Sequence, residues 1–381
     1  MHSVLEHLFG VPFTLVSFFI ALSVVVFVHE FGHFFVARRC GVRCDAFSIG
    51  FGPEIFGRTD KHGTRWKLSL IPLGGYVKMF GEGETMQVVE GGKTTEVPRE
   101  LTPEERAVSF KHKTLGQRAA IVFAGPAVNL LFAIIVFWLT FSIGGRPTTD
   151  PVIGGVVEGG AAAEAGIQPG DRIVTIDGKP VERFEDIQTM VLLANGAPME
   201  IGISREGAGE QVISVTPRVR EDKDEDGKVT KRLMLGIQAS REHMTVTRLD
   251  PISAAGAAFG QVYDVIHTTK VAVGQMIMGE RGTEDLGGPI RIAQISGQAA
   301  KTGVLGFILF MAILSINLGV VNLFPVPLLD GGHLMFYAIE AVRGRPLSEQ
   351  VQEWGLRVGL ALVLTLMLFV TWNDIVQLIR T

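Results

Sequence analysis

Four stretches of this chain, roughly residues 11–36, 119–143, 304–329 and 356–376, are apolar enough and long enough to cross a lipid bilayer. Lipid offers no partner to a free backbone N–H or C=O, so each crossing has to be a helix that closes its own hydrogen bonds. Composition agrees: of 381 residues 47% are hydrophobic and 19% charged, too apolar for an ordinary soluble enzyme and too charged to lie wholly in lipid. A net charge of −4 shows no basic excess, so nothing here argues for nucleic acid as a partner.

The first stretch could pass for a secretory leader. However, "MHSVLEHLFG" has no basic region, no small-residue cleavage site follows, and the apolar run continues into charged residues, so it reads as an uncleaved span. Arginine and lysine near the span ends set the orientation. Arg38, Arg39 and Arg43 follow the first span, Lys111, Lys113 and Arg118 precede the second, and Arg343, Arg345 and Arg357 lie between the third and fourth. Those connections are expected on the cytoplasmic side, which puts both termini and the long segment from about 144 to 303 in the periplasm of a bacterial cell. Cys40 and Cys44 are the only thiols; their spacing suggests one helix end facing a reducing compartment, and they lack the partners of a thiolate zinc site.

The first span ends in "HEFGH". His29 and His33 are four residues apart and share one helix face, so both imidazoles can reach one metal ion. Glu30 lies about 100° round the helix, where a general base could take a proton from water at the metal. Chance or interhelical hydrogen bonding is the plain alternative, but each ionisable group inside a span costs a few kcal/mol, which disfavours an idle trio. A catalytic zinc usually takes three protein ligands. "NLFPVPLLDGGH", residues 322–333, can supply the third at matching depth, because the first and third spans run the same way. Asp330 and His333 compete for the role, with a helix N-cap as the ordinary reading of Asp330; spacing does not separate them. Pro325 and Pro327 interrupt backbone hydrogen bonding there, and the freed carbonyls must face protein or a water-filled cavity.

In the first cytoplasmic loop the alternation from Thr64 to Leu70 predicts a strand, the "KHG" turn a hairpin, and "IPLGGYVKM" a second extended stretch whose Gly74 and Gly75 permit close backbone approach. It reads either as an amphipathic cover or as an edge strand that pairs with a substrate segment drawn out of its helix. "DKDEDG", residues 222–227, lacks the closing glutamate of a calcium loop and reads as a charged hairpin turn. Residues from about 250 to 280 read as a long amphipathic helix, with Asp264 and His267 on its polar face.

HEFGH in a first span, "GPAVN" (125–129) opening the second, and "NLFPVPLLDGGH" in the third together resemble the site-2 protease family of intramembrane zinc metalloproteases, in its bacterial sigma-factor-regulating branch. "AGIQPGDRIVTIDG", within the segment between the second and third spans, resembles a PDZ domain. The resemblance, from about residue 15 to 376, implies a polytopic α-helical membrane protein with four transmembrane helices, a cytoplasmic-side β-hairpin element and one β-rich periplasmic PDZ domain. The divisions expected are 1–37 for the first helix, 38–118 for the cytoplasmic loop, 119–143 for the second helix and 150–220 for the PDZ domain. A linker with the amphipathic helix at 221–303, the third segment at 304–333 and the fourth helix at 354–378 complete them. The resemblance further implies His29, His33 and Asp330 as ligands of Zn2+, in preference to His333, and Glu30 as catalytic base. Asn322, Gly74, Gly75 and Tyr76 are expected to hold substrate. The implied partners are the lipid bilayer, peptide segments at the PDZ domain, and single-span proteins such as an anti-sigma factor already cut outside, with signal-peptide remnants as further substrates. The implied location is the bacterial inner membrane, with the active site toward the cytoplasm. The rival reading is a catalytically silent, membrane-anchored PDZ adaptor with a structural metal site.

Overall fold

The computed structural model describes residues 2–81, 85–90, 93–98, 101–194, 196–207, 209–223, 229–240, 244–278 and 287–379. In chain order these form α1 (His2–Arg39), β1 (Cys44–Thr59), β2 (Arg65–Met79), β3 (Thr85–Glu90), β4 (Lys93–Pro98), α2 (Pro103–Val108), α3 (Leu115–Ile143), β5 (Arg146–Thr149) and β6 (Ile153–Val156). There follow α4 (Ala161–Glu164), β7 (Arg172–Ile176), β8 (Lys179–Pro180), α5 (Phe184–Ala194), β9 (Met199–Arg205), β10 (Gly209–Val215), β11 (Arg218–Lys223), β12 (Val229–Met234), β13 (Ile237–Ala239) and β14 (Met244–Thr247). The chain closes with α6 (Pro251–Ile277), α7 (Pro289–Lys301), α8 (Val304–Asn322), α9 (Asp330–Arg343) and α10 (Glu349–Ile379). It divides into two compact units, Met1–Val136 with Gly287–Asp374, and Phe137–Leu286 with Ile375–Thr381.

Four helices are long and apolar enough to cross a membrane: Gly10–Arg39, Leu115–Ile143, Val304–Asn322 and Glu349–Leu378. In the first unit α1 and α8 bury Ala21, Val25 and Met311 between them. Small residues draw α8 against α3: Ser315 Oγ donates to the Asn129 carbonyl at 3.0 Å, and a Cβ on Gly319 would stand 3.1 Å from the Pro126 carbonyl oxygen. The third span stops at Asn322, short of the expected 333. Pro325 and Pro327 cannot continue the ladder, Leu328 takes a strained φ of +124°, and a new helix, α9, starts at Asp330. Gly331 and Gly332 seat that helix on the broken segment, since a Cβ on either would lie 2.3 Å from a carbonyl oxygen of residues 323–326. The carboxylate of Asp374, on α10, accepts from the backbone N–H groups of Gly288, Ile290 and Arg291 at 2.9–3.2 Å and so caps α7.

β1 and β2 form the expected hairpin round a turn at 60–64, but they are longer and more bent than the sequence suggests. "IPLGGYVKM" is no separate strand; it continues β2. Residues 46–49 pair on one side with 65–68 and on the other with 75–78, while 54–59 pair with 65–69. The arm at 75–79 is therefore an edge among the described residues. Phe27, Phe34, Phe47 and Trp66 pack edge-on and stacked beneath it, fixing the sheet to α1. The two cysteines do not share a helix end: α1 stops at Arg39, Gly41 turns the chain at a φ of +71°, and Cys44 opens β1.

In the second unit β10, β9, β7 and β8 form one antiparallel sheet in that order. Alternate residues on β9, Met199, Ile201 and Ile203, are fully buried with Ile173 and Ile176, which lie on either side of a register break in β7, and they meet Ile187 from α5. The packing runs past residue 220, because β13 pairs with β6 and Leu235 belongs to the same core. β11 and β12 flank the acidic turn in an antiparallel ladder; the tip at 224–228 lies outside the described residues. The long helix expected near 250–280 is α6, capped by Asp250 with Pro251 in its first turn.

Asp171, 1% exposed, accepts two hydrogen bonds from the Arg205 guanidinium at 2.7 and 2.8 Å and one from the Gln168 N–H at 2.8 Å. Arg205 first, then Gln168, hold its carboxyl below the ordinary range. A carboxyl lowered on folding contributes stability above its unfolded pKa, about 3.9, and loses it as pH falls through the folded value. Asp171→Asn should therefore weaken hydrogen-exchange protection of β7 and β9 in the full chain by about 2 kcal/mol at pH 7, and the gap to wild type should narrow as pH falls below the ordinary carboxyl value and through the lowered one.

Candidate metal centre

Two helices of the first unit, α1 and α9, bring the donor atoms together. His29 and His33 sit one turn apart on α1, their rings edge-on with centroids 4.8 Å apart. Their Nε2 atoms are 3.2 Å apart, and Asp330 Oδ2, at the start of α9, lies 3.2 Å from the first and 3.5 Å from the second. Both histidines are buried. Asp330 is the first residue of α9 and not its cap: Leu329 holds the cap position, with no side-chain hydrogen bond. His333 stands outside the cluster, its ring edge-on to Phe336.

The surroundings decide which lone pairs face inward. His33 Nδ1 donates to the Ile121 carbonyl on α3 at 2.9 Å, so its proton sits there and Nε2 presents a lone pair. His29 Nδ1 lies 3.2 Å from the Asn129 side-chain amide. It is the amide nitrogen that faces the ring, and the buried Asn129 oxygen has no partner among the described residues; with the amide flipped, that oxygen accepts the Nδ1 proton and leaves His29 Nε2 free. Asp330 Oδ2 is buried without a hydrogen-bond partner. Two imidazole lone pairs and a carboxylate oxygen thus converge within 4.8 Å, and such a set is satisfied by a cation. Two nitrogens and one oxygen match the ligand types of zinc, with room for water or substrate as the fourth.

Glu30 points to the sheet. A Cβ on Gly75 would lie 3.1 Å from Glu30 Cγ and 2.9 Å from Val26 Cγ1. The edge arm of β2 therefore passes directly beside the glutamate. Gly74 takes a φ of +109°, and Tyr76 stacks on Phe51 with ring centroids 6.1 Å apart. Asn322 reaches the same place from the end of α8, its amide nitrogen 3.4 Å from His29 Nε2.

Sequence reasoning used "GPAVN" as a signature without assigning its residues. Gly125 is the gap through which α3 reaches the imidazoles, since a Cβ there would lie 2.3 Å from His33 Nε2. Asn129 orients His29. The signal was present: an asparagine fully buried in an apolar span needs a polar partner.

A buried two-histidine, one-carboxylate donor set among membrane-spanning helices defines a membrane metalloprotein. Residues 17–366 match peptidase family M50, and the chain belongs to that family. A provisionally named zinc metalloprotease of Agrobacterium fabrum is 44% identical over 368 residues, covering 96% of each chain. One of Rhizobium meliloti is 42% identical over 368 residues, covering 96% of this chain and 97% of its own. The regulator of sigma E protease of Salmonella typhimurium is 33% identical across 97% of this chain and all of its own length. That alignment spans 469 positions against 381 residues here, so the Salmonella protein carries sequence that this chain lacks. The chain is a membrane metalloprotease, and zinc is its metal.

Asn129→Ala should lower zinc affinity about 10- to 100-fold, the usual cost of removing the group that orients a ligating histidine. Competitive chelator titration of purified protein measures this, with circular dichroism as the check that the helices persist.

Proposed function

We propose that this chain is an intramembrane protease of the site-2 type, in which His29, His33 and Asp330 hold zinc and Glu30 is the catalytic base. The observation that carries the reading is the meeting of that donor set with Glu30 and the free edge of β2 at one depth in the first unit. Bound zinc supplies Lewis acidity, polarising the scissile carbonyl and acidifying water at the site. Glu30 takes the proton from the attacking water onto its carboxylate and delivers it to the leaving amine nitrogen. His33 and His29 keep their Nδ1 protons on Ile121 and Asn129, so neither ring turns during the reaction.

A helical peptide bond is shielded by its own hydrogen bonds, so substrate has to be extended before it can be cut. The edge arm at 75–79 takes up the unwound segment as an added strand. Gly74 and Gly75 let the arm lie close against Phe51 and against α1 beside Glu30, Tyr76 lies on the same arm, and Asn322, next to His29 Nε2, holds the strand from the end of α8. Phe51, Ile55, Phe56, Leu70, Ile71 and Leu73 leave the far part of the sheet apolar and exposed, which suits immersion in lipid. Substrates are single-span proteins already trimmed outside the membrane, of the anti-sigma-factor kind, and remnant signal peptides. The β-rich segment from about 150 to 220 is a single PDZ-type module that screens substrates, with both termini periplasmic and the metal toward the cytoplasm.

Glu30→Gln separates this reading from a silent adaptor. A purified single-span peptide lacking an outer domain should be cut by wild type, and about 10²- to 10⁴-fold more slowly by the variant, with zinc content equal in both. Equal cleavage by the two proteins would remove Glu30 from the chemistry. Zinc in both with cleavage by neither would favour the adaptor.

A further inference from the structure

The exposed side of α1 carries a feature that proteolysis does not use. Phe27, Phe31 and Phe35 follow one another at four-residue spacing and stack in sequence, with ring centroids 5.7 and 6.1 Å apart. One turn further on, the Arg39 guanidinium lies 4.8 Å from the centroid of Phe35. Phe31 and Phe35 are 36% and 45% exposed. The helix that is long and apolar enough to cross a membrane ends at Arg39, so on a membrane-spanning α1 the exposed rings of Phe31 and Phe35 would meet lipid and the cation would stand at the helix end, where headgroups lie, while Phe27 packs inward on Phe47.

Beside the ladder opens a cavity of about 590 Å3, lined in part by Phe34, Phe35, Arg38, Arg39, Arg43 and His62. Among the described residues its charges do not cancel. Arg38 is paired with Asp60 at 3.0 Å and Arg43 with Asp45 at 3.0 Å, whereas Arg39 has no carboxylate partner among the described residues. Lys113 adds a second cation: its Nζ lies 3.5 Å from where a Cβ on the cavity residue Gly41 would be, and it donates only to the Ala107 carbonyl, at 2.6 Å, among the described residues. Cationic pockets where spans meet the membrane surface suit lipid phosphates, and a planar guanidinium matches phosphate oxygens two at a time.

We propose that the cavity and the ladder form one binding site for an anionic phospholipid, with the phosphate on Arg39 and Lys113 and an acyl chain along the exposed rings of Phe35 and Phe31. A soluble phosphate would use the cations and leave the ladder idle; a zwitterionic lipid would use the ladder and leave the charge surplus unmet. A lipid seated there braces the last turns of the helix that carries His33.

The test is native mass spectrometry of the full-length protein released from nanodiscs of mixed phosphatidylglycerol and phosphatidylcholine. Wild type should retain phosphatidylglycerol in several-fold excess over its share of the bilayer. Arg39→Ala should cut that preference about five-fold, as expected for one charge at the membrane surface, and Arg39→Lys should keep part of it. Phe35→Ala should lower retention of both lipids together. Two results would overturn the assignment in wild type alone, whatever the variants do: no preference for phosphatidylglycerol over phosphatidylcholine, or displacement of the lipid by millimolar glycerol phosphate. An Arg39→Ala protein as selective as wild type would overturn it as well.

Discussion

Two imidazole nitrogens and a carboxylate oxygen face one another at 3.2–3.5 Å inside an apolar bundle, and the arrangement of the first unit depends on that encounter. Each polar group taken into a span costs a few kcal/mol. Electron-pair donors that converge without a proton between them repel, so a cation is what makes the cluster stable. Zinc meets the need with the ligand types it prefers.

The helices are cut to serve this encounter. α1 delivers its two histidines by helical periodicity alone. α3 reaches them only because Gly125 has no side chain, and it brings the Ile121 carbonyl and the Asn129 amide that fix the two rings. The third span cannot present Asp330 as a continuous helix: two prolines and a strained Leu328 end it, and the paired glycines of "DGG" let α9 start against the broken backbone.

Much of this was legible before any coordinates. The spans are long and apolar, so their number and approximate limits follow from hydropathy, and HExxH on a helix dictates that His29 and His33 share a face. What periodicity could not supply was contact between distant segments. Asp330 and His333 are one turn apart in sequence, and only the start of α9 at Asp330 turns one toward the cluster and leaves the other beside Phe336. The bends in β1 and β2, which make 75–79 an edge beside Glu30, fall at breaks of pairing register near 50–53 and 70–74 that a strand pattern does not reveal. The extension of the β-rich unit past residue 220 rests on the pairing of β13 with β6, a link between segments some eighty positions apart that local alternation cannot register.

Zinc K-edge X-ray absorption on the purified full-length protein tests the central encounter most directly. Coordination by His29, His33 and Asp330 requires a first shell of nitrogen and oxygen at about 2.0–2.1 Å, with the outer-shell scattering of two imidazoles, falling to one imidazole in His33→Ala. A sulfur shell at about 2.3 Å would move the metal to Cys40 and Cys44. A spectrum unchanged by His33→Ala would mean that these three side chains do not hold it.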